Sequence, residues 1–406
     1  MRILLVHNHY KISAGEDTVF YAEASLLEQH GHIVEMFTLS NNDVSSLKDK
    51  IEAAVGVVYN AKSAALVEQK IKEFRPDVLH VHNFFPLISP AVFYVAKKLG
   101  VPVAMTLHNY RLICPSAYLH YNGRIHLENV HKVFPVQAVL EKAYRNSFVE
   151  TASVVLATGM HKLLGTWRNK IDRFITLTRN GADLFLNSSL KLRPEQVVIK
   201  PNFAADLGLG APVREDYFLY VGRLSPEKGI KTLLEACRLH AFKLKIIGDG
   251  SERPLVEQYA AINSNIEYLG YQQSERVVKE LKSARALLFT SEWLETFGMT
   301  IVEAFSTGTP VIAAKLGGAE YLVQDHVNGL HYTPGNAKEL TQKIQLLQVN
   351  PDMAAELGQA ARKSYLQQYT PEENYKELIA IYEDMQVKNK MPASSPVTAT
   401  KAGILE

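Results

Sequence analysis

The chain has 406 residues, of which 47% are hydrophobic and 21% charged, and its net charge is +2. This composition is typical of a globular protein, and the length predicts two or three domains. A disulfide framework is excluded because the only cysteines are Cys114 and Cys237, which stand far apart. A membrane-spanning class is excluded because no run approaches the ~20 apolar residues that a spanning helix needs.

The two halves of the chain differ in charge, with a basic excess in residues 1–200 and an acidic excess in the remainder. Ordinary surface variation explains this as well as contact with anionic lipid headgroups or an anionic acceptor does. The segment from Ala138 to Arg173 mixes Lys and Arg with Leu, Val, Phe and Trp, so it is our candidate for peripheral contact with an anionic membrane. It could equally be a helix pair packed on a sheet. Nucleic acid fits poorly, because no Lys/Arg cluster is interleaved with aromatic residues.

The N-terminus reads as a strand and not as a signal peptide. Only the four apolar residues Ile3 to Val6 follow Arg2, whereas a signal peptide needs an apolar stretch of about 7–15 residues. The few, separated cysteines fit a reducing compartment. We therefore expect a cytoplasmic protein, with peripheral association at the inner face of the cell membrane as an option.

The first half of the chain alternates short apolar runs with amphipathic stretches. Strands are predicted at Ile3–Val6, His32–Thr38, Val78–Val81, Val101–Leu107, Arg173–Leu177 and Val197–Lys200, and helices at Asp17–His30, Ala65–Phe74 and Pro90–Leu99. Such alternation is typical of a parallel doubly wound sheet, whose ligand crevice lies beyond the carboxyl ends of the strands. Residues 1–200 are therefore predicted to form one domain.

A second alternation follows a Gly- and Pro-containing linker at residues 201–216. It starts with a strand at Phe218–Val221 and a helix at Lys228–His240, and it defines a second domain at 217–364. A last helix at about 365–385 is expected to pack back on the first domain, and a tail at 388–406 to be disordered. The sequence thus predicts an α/β protein with two Rossmann-like domains facing each other across a cleft.

The segment from residue 295 to 312, ETFGMTIVEAFSTGTPVI, carries the most specific signal. A helix is predicted from about Phe297 to Thr307, ended by Gly308 and Pro310. Its first backbone amides, those of Phe297, Gly298, Met299 and Thr300, would be unsatisfied donors at the positive end of the helix dipole. Such an end binds phosphate.

Two carboxylates flank these amides. Glu295 and Glu303 are eight residues apart, about two helical turns, so they would lie on one face and could bond two parts of one extended ligand. The simpler interpretation makes Glu295 a partner of the helix dipole and Glu303 a solvated helix residue.

Two cations occur in the segment VGRLSPEKG, which follows the first strand of the second domain. Arg223 offers a planar fork for phosphate oxygens, and Lys228 offers a mobile point charge. Together they could neutralise a diphosphate without a metal ion. Alternatively, both are solvated surface cations.

Two weaker signals follow strands of the first domain. Gly15, in the segment Ser13-Ala14-Gly15, would let the backbone approach a ligand closely, although a glycine after a first strand is common. His108, in TLHNY, stands at the carboxyl end of a predicted strand, where side chains face the cleft of such a sheet. A hydrogen-bonded structural histidine is the alternative.

Taken together, these motifs resemble those of glycosyltransferase family 4, a retaining family of the GT-B fold, up to about residue 385. The stretches DVLHVHN at 77–83 and TLHNYRLICP at 106–115 are similar to a bacterial subgroup linked to surface polysaccharide synthesis. The resemblance implies an enzyme that transfers a hexose from a nucleoside diphosphate sugar to a glycan or lipid-linked glycan acceptor.

The resemblance also assigns roles by position. His108 and Glu295 would contact the transferred sugar near the reacting centre, and Glu303 would contact the ribose. The donor diphosphate would be held by residues of both domains, namely Gly15, Arg223, Lys228 and the amides of Phe297, Gly298, Met299 and Thr300. The acceptor would bind the N-terminal domain, and closure of the cleft would complete the site.

Two departures from the family pattern limit the assignment. Glu320 follows Gly317-Gly318 one position earlier than the family pattern has it, so it stays outside the predicted site. The stretch from Ile125 to His131 replaces a cysteine-bearing insert of the subgroup, so no metal is inferred there. His80 and His82 lack a third ligand at convincing spacing, and we expect neither metal nor cofactor.

Two other functions keep the same fold. A sugar-nucleotide epimerase would convert the nucleotide sugar without an acceptor, and a non-catalytic partner subunit could lose Glu295, Arg223 or Lys228 without penalty. The presence of all three favours transfer. The base and sugar of the donor, the acceptor and the oligomeric state are not readable from the sequence.

Overall fold

The computed structural model describes residues 1–10, 15–40 and 56–390. Within these ranges the chain forms two six-stranded sheets and a small two-stranded one. Every pair of neighbouring strands in the two large sheets is parallel. Parallel strands require crossover connections, and helices supply them here.

The N-terminal sheet has the strand order β2-β1-β3-β4-β7-β8. Its central strands are buried on both faces, as the continuous apolar run Ile3 to Val6 requires. The strands are β1 (Arg2–His9), β2 (Ile33–Ser40), β3 (Val78–Val81), β4 (Val103–Thr106), β7 (Arg173–Thr176) and β8 (Val197–Ile199), with β5 (His120–Tyr121) and β6 (Arg124–Ile125) pairing as a separate hairpin.

The C-terminal sheet has the order β11-β10-β9-β12-β13-β14. Since the order reverses between β9 and β12, a crevice opens at their carboxyl ends, where open α/β sheets bind ligands. The strands are β9 (Phe218–Val221), β10 (Leu244–Ile247), β11 (Ile266–Gly270), β12 (Ala286–Phe289), β13 (Val311–Ala314) and β14 (Gly329–Tyr332).

Helices cover the faces of both sheets. In the N-terminal part they are α1 (Gly15–Gln29), α2 (Ala61–Phe74), α3 (Ala91–Lys98), α4 (Val136–Leu140), α5 (Phe148–Leu163), α6 (Thr166–Lys170) and α7 (Arg179–Leu186). In the C-terminal part they are α8 (Ile230–Leu239), α9 (Arg253–Ile262), α10 (Ser274–Ser283), α11 (Met299–Ser306), α12 (Gly317–Leu322), α13 (Ala337–Val349), α14 (Pro351–Gln368) and α15 (Pro371–Lys390). The predicted α/β class with two doubly wound parallel sheets is confirmed.

The last two helices divide between the domains. Tyr365 in α14 is fully buried in the C-terminal core, whereas Leu378 and Tyr382 in α15 are buried against β1 and β3 of the N-terminal sheet. The tyrosine hydroxyl of Tyr382 lies 2.7 Å from His80 Nδ1. The chain therefore crosses between domains twice, once after β8 and once before α15.

Three predicted boundaries at the C-terminal end are wrong. The chain does not form one helix from about 365, because α14 ends at Gln368 and Pro371, which cannot continue a helix, begins α15. Helix α15 reaches Lys390, so residues 388–390 belong to it and not to the predicted tail. Residues 391–406 lie outside the described part of the chain. Within the described ranges, every helix is too short or too polar to cross a bilayer.

Removing the side chain that anchors α15 should destabilise the N-terminal sheet. Leu378→Ala leaves a cavity in a fully buried cluster, which costs about 2–5 kcal/mol. Native-state hydrogen exchange of the β1 and β3 amides should report this loss, while Val387→Ala, on the exposed side of the same helix, should leave it unchanged. Equal exchange in both variants would contradict the docking of α15 on this sheet.

Candidate active site

The carboxyl ends of β9 and β12, which are neighbours in the C-terminal sheet, bring a lysine and a glutamate together. Lys228 Nζ donates to Glu295 Oε1 at 2.6 Å, and both side chains are largely buried. Ser291 Oγ donates to the same carboxylate oxygen. The ammonium group also lies 5.5 Å from the centre of the Trp293 ring. Two loops that are far apart in sequence are therefore joined by one charge pair.

The backbone around Lys228 is held by close packing. A short 3-10 turn, Pro226–Lys228, ends at Gly229, which has a φ of 70° and begins α8. A Cβ at Gly229 would stand 1.9 Å from the carbonyl oxygen of Thr290, so only glycine fits. Thr290 Oγ1 donates to the Lys228 carbonyl oxygen at 2.8 Å. The predicted helix at 228–240 therefore starts after Lys228, which lies in the turn.

Helix α11 provides free backbone amides next to Glu295. The helix starts at Met299 with Gly298 as its N-cap, and the first amide bonded back to Gly298 is that of Ile301. The amides of Met299 and Thr300 are therefore the donors that a helix N-terminus leaves for a ligand. Phe297 precedes the helix and its ring packs in the core beside Tyr369, while the role of its amide stays a prediction.

The predicted common helix face for Glu295 and Glu303 is wrong. Glu295 lies in the loop before Gly298, and only Glu303 lies within α11. The loop conformation separates them, because Gly298 has a φ of 142° and breaks the helix path. Burial raises the pKa of the Glu303 carboxyl.

Arg223 stands on the outer side of the same crevice, in the loop after β9. Its guanidinium donates to Glu227 Oε1 at 2.7 Å and to Ser225 Oγ at 3.3 Å, while about half of the side chain is exposed. Since a guanidinium has five N–H donors, this leaves several for a ligand. Burial alone would lower the pKa of Arg223, but Glu227 raises it, with smaller contributions from Tyr118 and Glu295.

The N-terminal domain meets this crevice through its own strand ends. Thr296 Oγ1 donates to the carbonyl oxygen of His108 at 2.8 Å, and Tyr118 packs edge-to-face on Trp293 with ring centres 4.9 Å apart. A third contact joins Asn180 Nδ2 to the Gly317 carbonyl oxygen at 3.2 Å. The backbone of His108 and the loop that carries Glu295 therefore meet at the contact between the two domains.

A small cavity of about 20 Å³ lies beside His108 in the N-terminal domain. Its polar lining comes from the ends of β3 and β4, and it comprises His82, Asn83, His108, Asn109 and Arg111. The predicted donor residue Gly15 begins α1 and is exposed, with no atom within 4 Å of where a Cβ would stand. Ser13 and Ala14 lie outside the described residues.

Glu16, next to Gly15, is a site residue that the sequence did not reveal. Asn83 Nδ2 and Asn109 Nδ2 donate to its two carboxylate oxygens at 3.3 and 3.4 Å. Burial, and then the charge of Asp17, raise its pKa to about 7. A carboxyl group poised near neutrality at the edge of a cleft can exchange a proton with a ligand. The signal was weak, because acidic residues are ordinary in the first turn of a helix.

Two histidine clusters approach metal-ligand geometry without matching it. The first has His7 Nε2 and His9 Nδ1 at 2.9 and 2.7 Å from one oxygen of Asp17. These are hydrogen-bond distances, whereas ligand atoms around tetrahedral zinc stand about 3.3 Å apart at its usual bond lengths. The second joins His80 and His82 to Glu23, the third partner that spacing did not predict. The ammonium of Lys200 lies 2.7 Å from Glu23 and supplies the positive charge there.

Glu320, left out of the predicted site, is exposed on α12.

These observations define a two-domain α/β protein whose crevice at the domain contact presents two cations and the N-terminus of a helix. Two family models match it: "Glycosyl transferase 4-like domain" over residues 15–202 and "Glycosyl transferases group 1" over residues 208–364. The chain belongs to the glycosyltransferase 4-like proteins of the GT-B fold, as its motifs predicted.

Relatives of known sequence extend this assignment. The chain is 31% identical over 172 residues to an uncharacterised glycosyltransferase of Methanocaldococcus jannaschii (42% of this chain, 48% of the relative). It is 24% identical over 352 residues to an uncharacterised 42.6 kDa protein in the cps region of Klebsiella pneumoniae (78% and 86%). It is 30% identical over 188 residues to the lipopolysaccharide 1,6-galactosyltransferase of Escherichia coli K12 (43% and 52%). The chain thus spans about half the length of the first and third of these relatives.

Among solved structures, the fold is similar to that of HepE from Anabaena in complex with UDP. The TM-score is 0.68 at 18% identity, and the match covers 95% of this chain and 100% of HepE. This likeness supports the GT-B architecture of the chain.

Adding one methyl group next to Phe297 should weaken binding of a nucleotide at this crevice. A Cβ at Gly318 would stand 2.0 Å from the Phe297 carbonyl oxygen, so Gly318→Ala must displace the loop that leads into α11. We expect the UDP affinity measured by calorimetry to fall at least about 10-fold, because the displaced loop would lose one or two hydrogen bonds to the ligand. Gly56→Ala, where the nearest atoms stand at 3.6 Å, is the control and should bind as the wild type does.

Proposed function

We propose that this protein is a retaining hexosyltransferase that uses a nucleoside diphosphate hexose as donor and a glycan or lipid-linked glycan as acceptor. The observation that supports it most directly is the convergence of Lys228, Glu295 and the amides of Met299 and Thr300 at the end of β9 and β12. Cationic, carboxylate and amide groups in one crevice suit a ligand with both a diphosphate and sugar hydroxyls.

The diphosphate would lie between the cations and the helix end. Arg223 offers bidentate donors, Lys228 a point charge, and α11 two free amides, which together balance the charge that develops on a leaving diphosphate. We propose that these groups act without a metal ion or cofactor. The UDP complex of HepE makes a uridine nucleotide the first donor class to assay.

The sugar would lie between Glu295 and His108. In this proposal Glu295 accepts from hydroxyls of the transferred hexose, and Glu303, whose pKa is raised by burial, contacts the nucleotide ribose. Retention follows if the acceptor hydroxyl attacks from the side of the departing diphosphate. The bond from the anomeric carbon to the phosphate oxygen breaks, the bond to the acceptor oxygen forms, and the acceptor proton passes to the leaving phosphate.

The acceptor would bind the N-terminal domain on the side of His108, near the ends of β3 and β4, whose side chains also line a small cavity there. The named relatives point to bacterial surface glycans: one is a lipopolysaccharide galactosyltransferase, and one lies in a cps region. An acceptor bound beside His108 would lie next to the donor crevice. One of its hydroxyls would then reach the sugar.

Removing either member of the Lys228–Glu295 pair should abolish most transfer. We expect Lys228→Ala and Glu295→Gln each to lower kcat/KM at least about 100-fold in an assay with UDP-glucose and related donors, because each removes stabilisation of the transition state. Lys231→Ala, an exposed lysine on the adjacent helix α8, is the control and should keep full activity. Turnover unchanged in both site variants would refute the proposed mechanism.

We also propose that the N-terminal domain rests on an anionic membrane, at the inner face of the cell membrane. Helix α5 buries Val154, Ala157 and His161 but exposes Val149, Leu156 and Leu163, of which 68%, 51% and 69% is accessible. These exposed residues recur at helical spacing, so they form one apolar stripe.

Neighbouring segments extend this stripe. Phe134 packs against Gly159, and Val136 and Leu140 of α4 are 60% and 64% exposed. The exposed cations Lys142 and Arg145 border the surface between the two helices. Apolar side chains with basic residues at the margin are the pattern of an interfacial helix on anionic lipid.

Placing charge on this stripe should release the protein from vesicles. We expect the wild type to float with vesicles of phosphatidylglycerol and phosphatidylcholine at low salt, and the double variant Leu156→Glu, Leu163→Glu to stay in the lower fraction. Ile262→Glu, at a 75% exposed apolar position on α9, is the matched control and should float. Absence of wild-type flotation at low salt would dismiss the membrane contact.

A further inference from the structure

A row of buried polar groups runs from the interdomain linker to His108. Lys200 Nζ lies 2.7 Å from Glu23 Oε1, Glu23 Oε2 lies 3.3 Å from His82 Nε2, and His82 Nδ1 lies 3.0 Å from His108 Nε2. At most 3% of Lys200, Glu23 and His82 is accessible to solvent. These three side chains are therefore shielded from bulk water.

The charge of Glu23 is fixed by Lys200. Burial by itself would raise the pKa of this carboxyl, but the ammonium group of Lys200, together with His82 and His80, holds it well below the usual range. An ionised carboxylate only accepts hydrogen bonds. The atoms Glu23 Oε2 and His82 Nε2 are both buried without a hydrogen bond, and they lie 3.3 Å from each other, so the carboxylate faces this ring nitrogen.

This charge decides the tautomers of both rings. If His82 carried its proton on Nδ1, the lone pair of Nε2 would face the Glu23 carboxylate, which is repulsive. His82 therefore carries its proton on Nε2 and accepts at Nδ1. His108 Nε2 must then be the donor in the 3.0 Å contact.

The surroundings of His108 disfavour a second proton, although the charge of Glu23 acts in the opposite direction. Burial, and then the neighbouring His82, hold the pKa of His108 well below its usual value, with smaller effects from Glu23, His7 and His80. The neutral ring keeps its lone pair on Nδ1, and among the described residues no donor bonds to that atom.

We infer that Glu23 and His82 are positioning residues, which fix His108 as the Nε2-protonated tautomer so that its Nδ1 accepts a hydrogen bond from a ligand hydroxyl. The chemical class of the ligand group follows from this tautomer. An unprotonated ring nitrogen accepts a hydrogen bond from a hydroxyl of the sugar or acceptor, but it repels a phosphate oxygen. This inference rests on the proposed function for the identity of the ligand, but the tautomer itself is a property of the protein alone.

The tautomer can be measured directly on the intact protein. With ¹⁵N-histidine labelling and His108→Gln to assign the signal, we expect the Nδ1 of His108 to resonate as an unprotonated ring nitrogen and Nε2 as a protonated one. A protonated Nδ1 would overturn the inference whether or not the protein transfers sugar. A failure of sugar transfer with the expected tautomer would refute only the proposed function.

Variants of His82 separate positioning from folding. His82→Leu removes the acceptor and should let the His108 proton redistribute, with kcat falling about 10-fold, the loss of one hydrogen bond, at little change in the KM of the donor. His82→Asn keeps an acceptor oxygen near the place of Nδ1 and should restore the tautomer and most of kcat.

His80→Leu is the matched control, because His80 is equally buried but bonds to Tyr382 and Thr106 instead of His108. It should lower thermal stability and leave the His108 spectrum unchanged. An unaltered His108 spectrum in His82→Leu, or no rescue by His82→Asn of a lost kcat, would show that His82 has only a structural role.

Discussion

The ion pair between Lys228 and Glu295 is the interaction on which the arrangement of this site depends. Its members follow two strands, β9 and β12, that are neighbours in the sheet but lie more than sixty positions apart in the chain. A pair of this kind, with both side chains largely buried, is stable only if each charge is compensated. Ser291 and Trp293 add a hydrogen bond to the carboxylate and a ring contact to the ammonium group. The pair therefore holds the conformation of both loops. The N-terminus of α11 comes shortly after Glu295 in the chain, so its place depends on the same pair.

Glycines allow these loops to approach each other closely. Gly229, Gly317 and Gly318 each lie where a Cβ would stand within 3 Å of backbone atoms of the loop that carries Glu295 or of its neighbour Thr290. Because these residues carry no side chain, the two loops pack closely. Their main-chain groups can therefore line the crevice. Backbone amides are suited to this place because their positions are fixed before a ligand binds.

The second domain supplies the other half of the site through a different kind of interaction. Among the described residues, the ring of His108 bonds to His82 and to no carboxylate. We infer that its tautomer is set by the row of buried groups that ends at Lys200, the first residue after β8. The same lysine lies at the start of the crossing between domains, and His80, beside this row, bonds to Tyr382 on the helix that returns from the other domain. The geometry of His108 is thus tied to the start of the first segment that joins the domains.

The sequence by itself determined the repeated strand–helix order, the two parallel sheets, and the residues at the strand ends. These features are local: continuous apolar runs specify buried parallel strands, and glycines after them specify turns. Motif resemblance added the family, and with it the expectation that His108, Arg223, Lys228 and Glu295 share one ligand.

Only the tertiary structure decided which groups touch. Glu16 and Glu23 lie on a helix where acidic residues are unremarkable, and they become informative only when Asn83, His82 and Lys200 are brought against them from distant parts of the chain. The break at Gly298, which removes Glu295 from the helix face of Glu303, was equally hidden, because the loop there is held by contacts with α12. Local pattern fixes where a strand ends, but the protonation and partners of a buried polar group depend on the charges packed around it, and those come from residues remote in sequence.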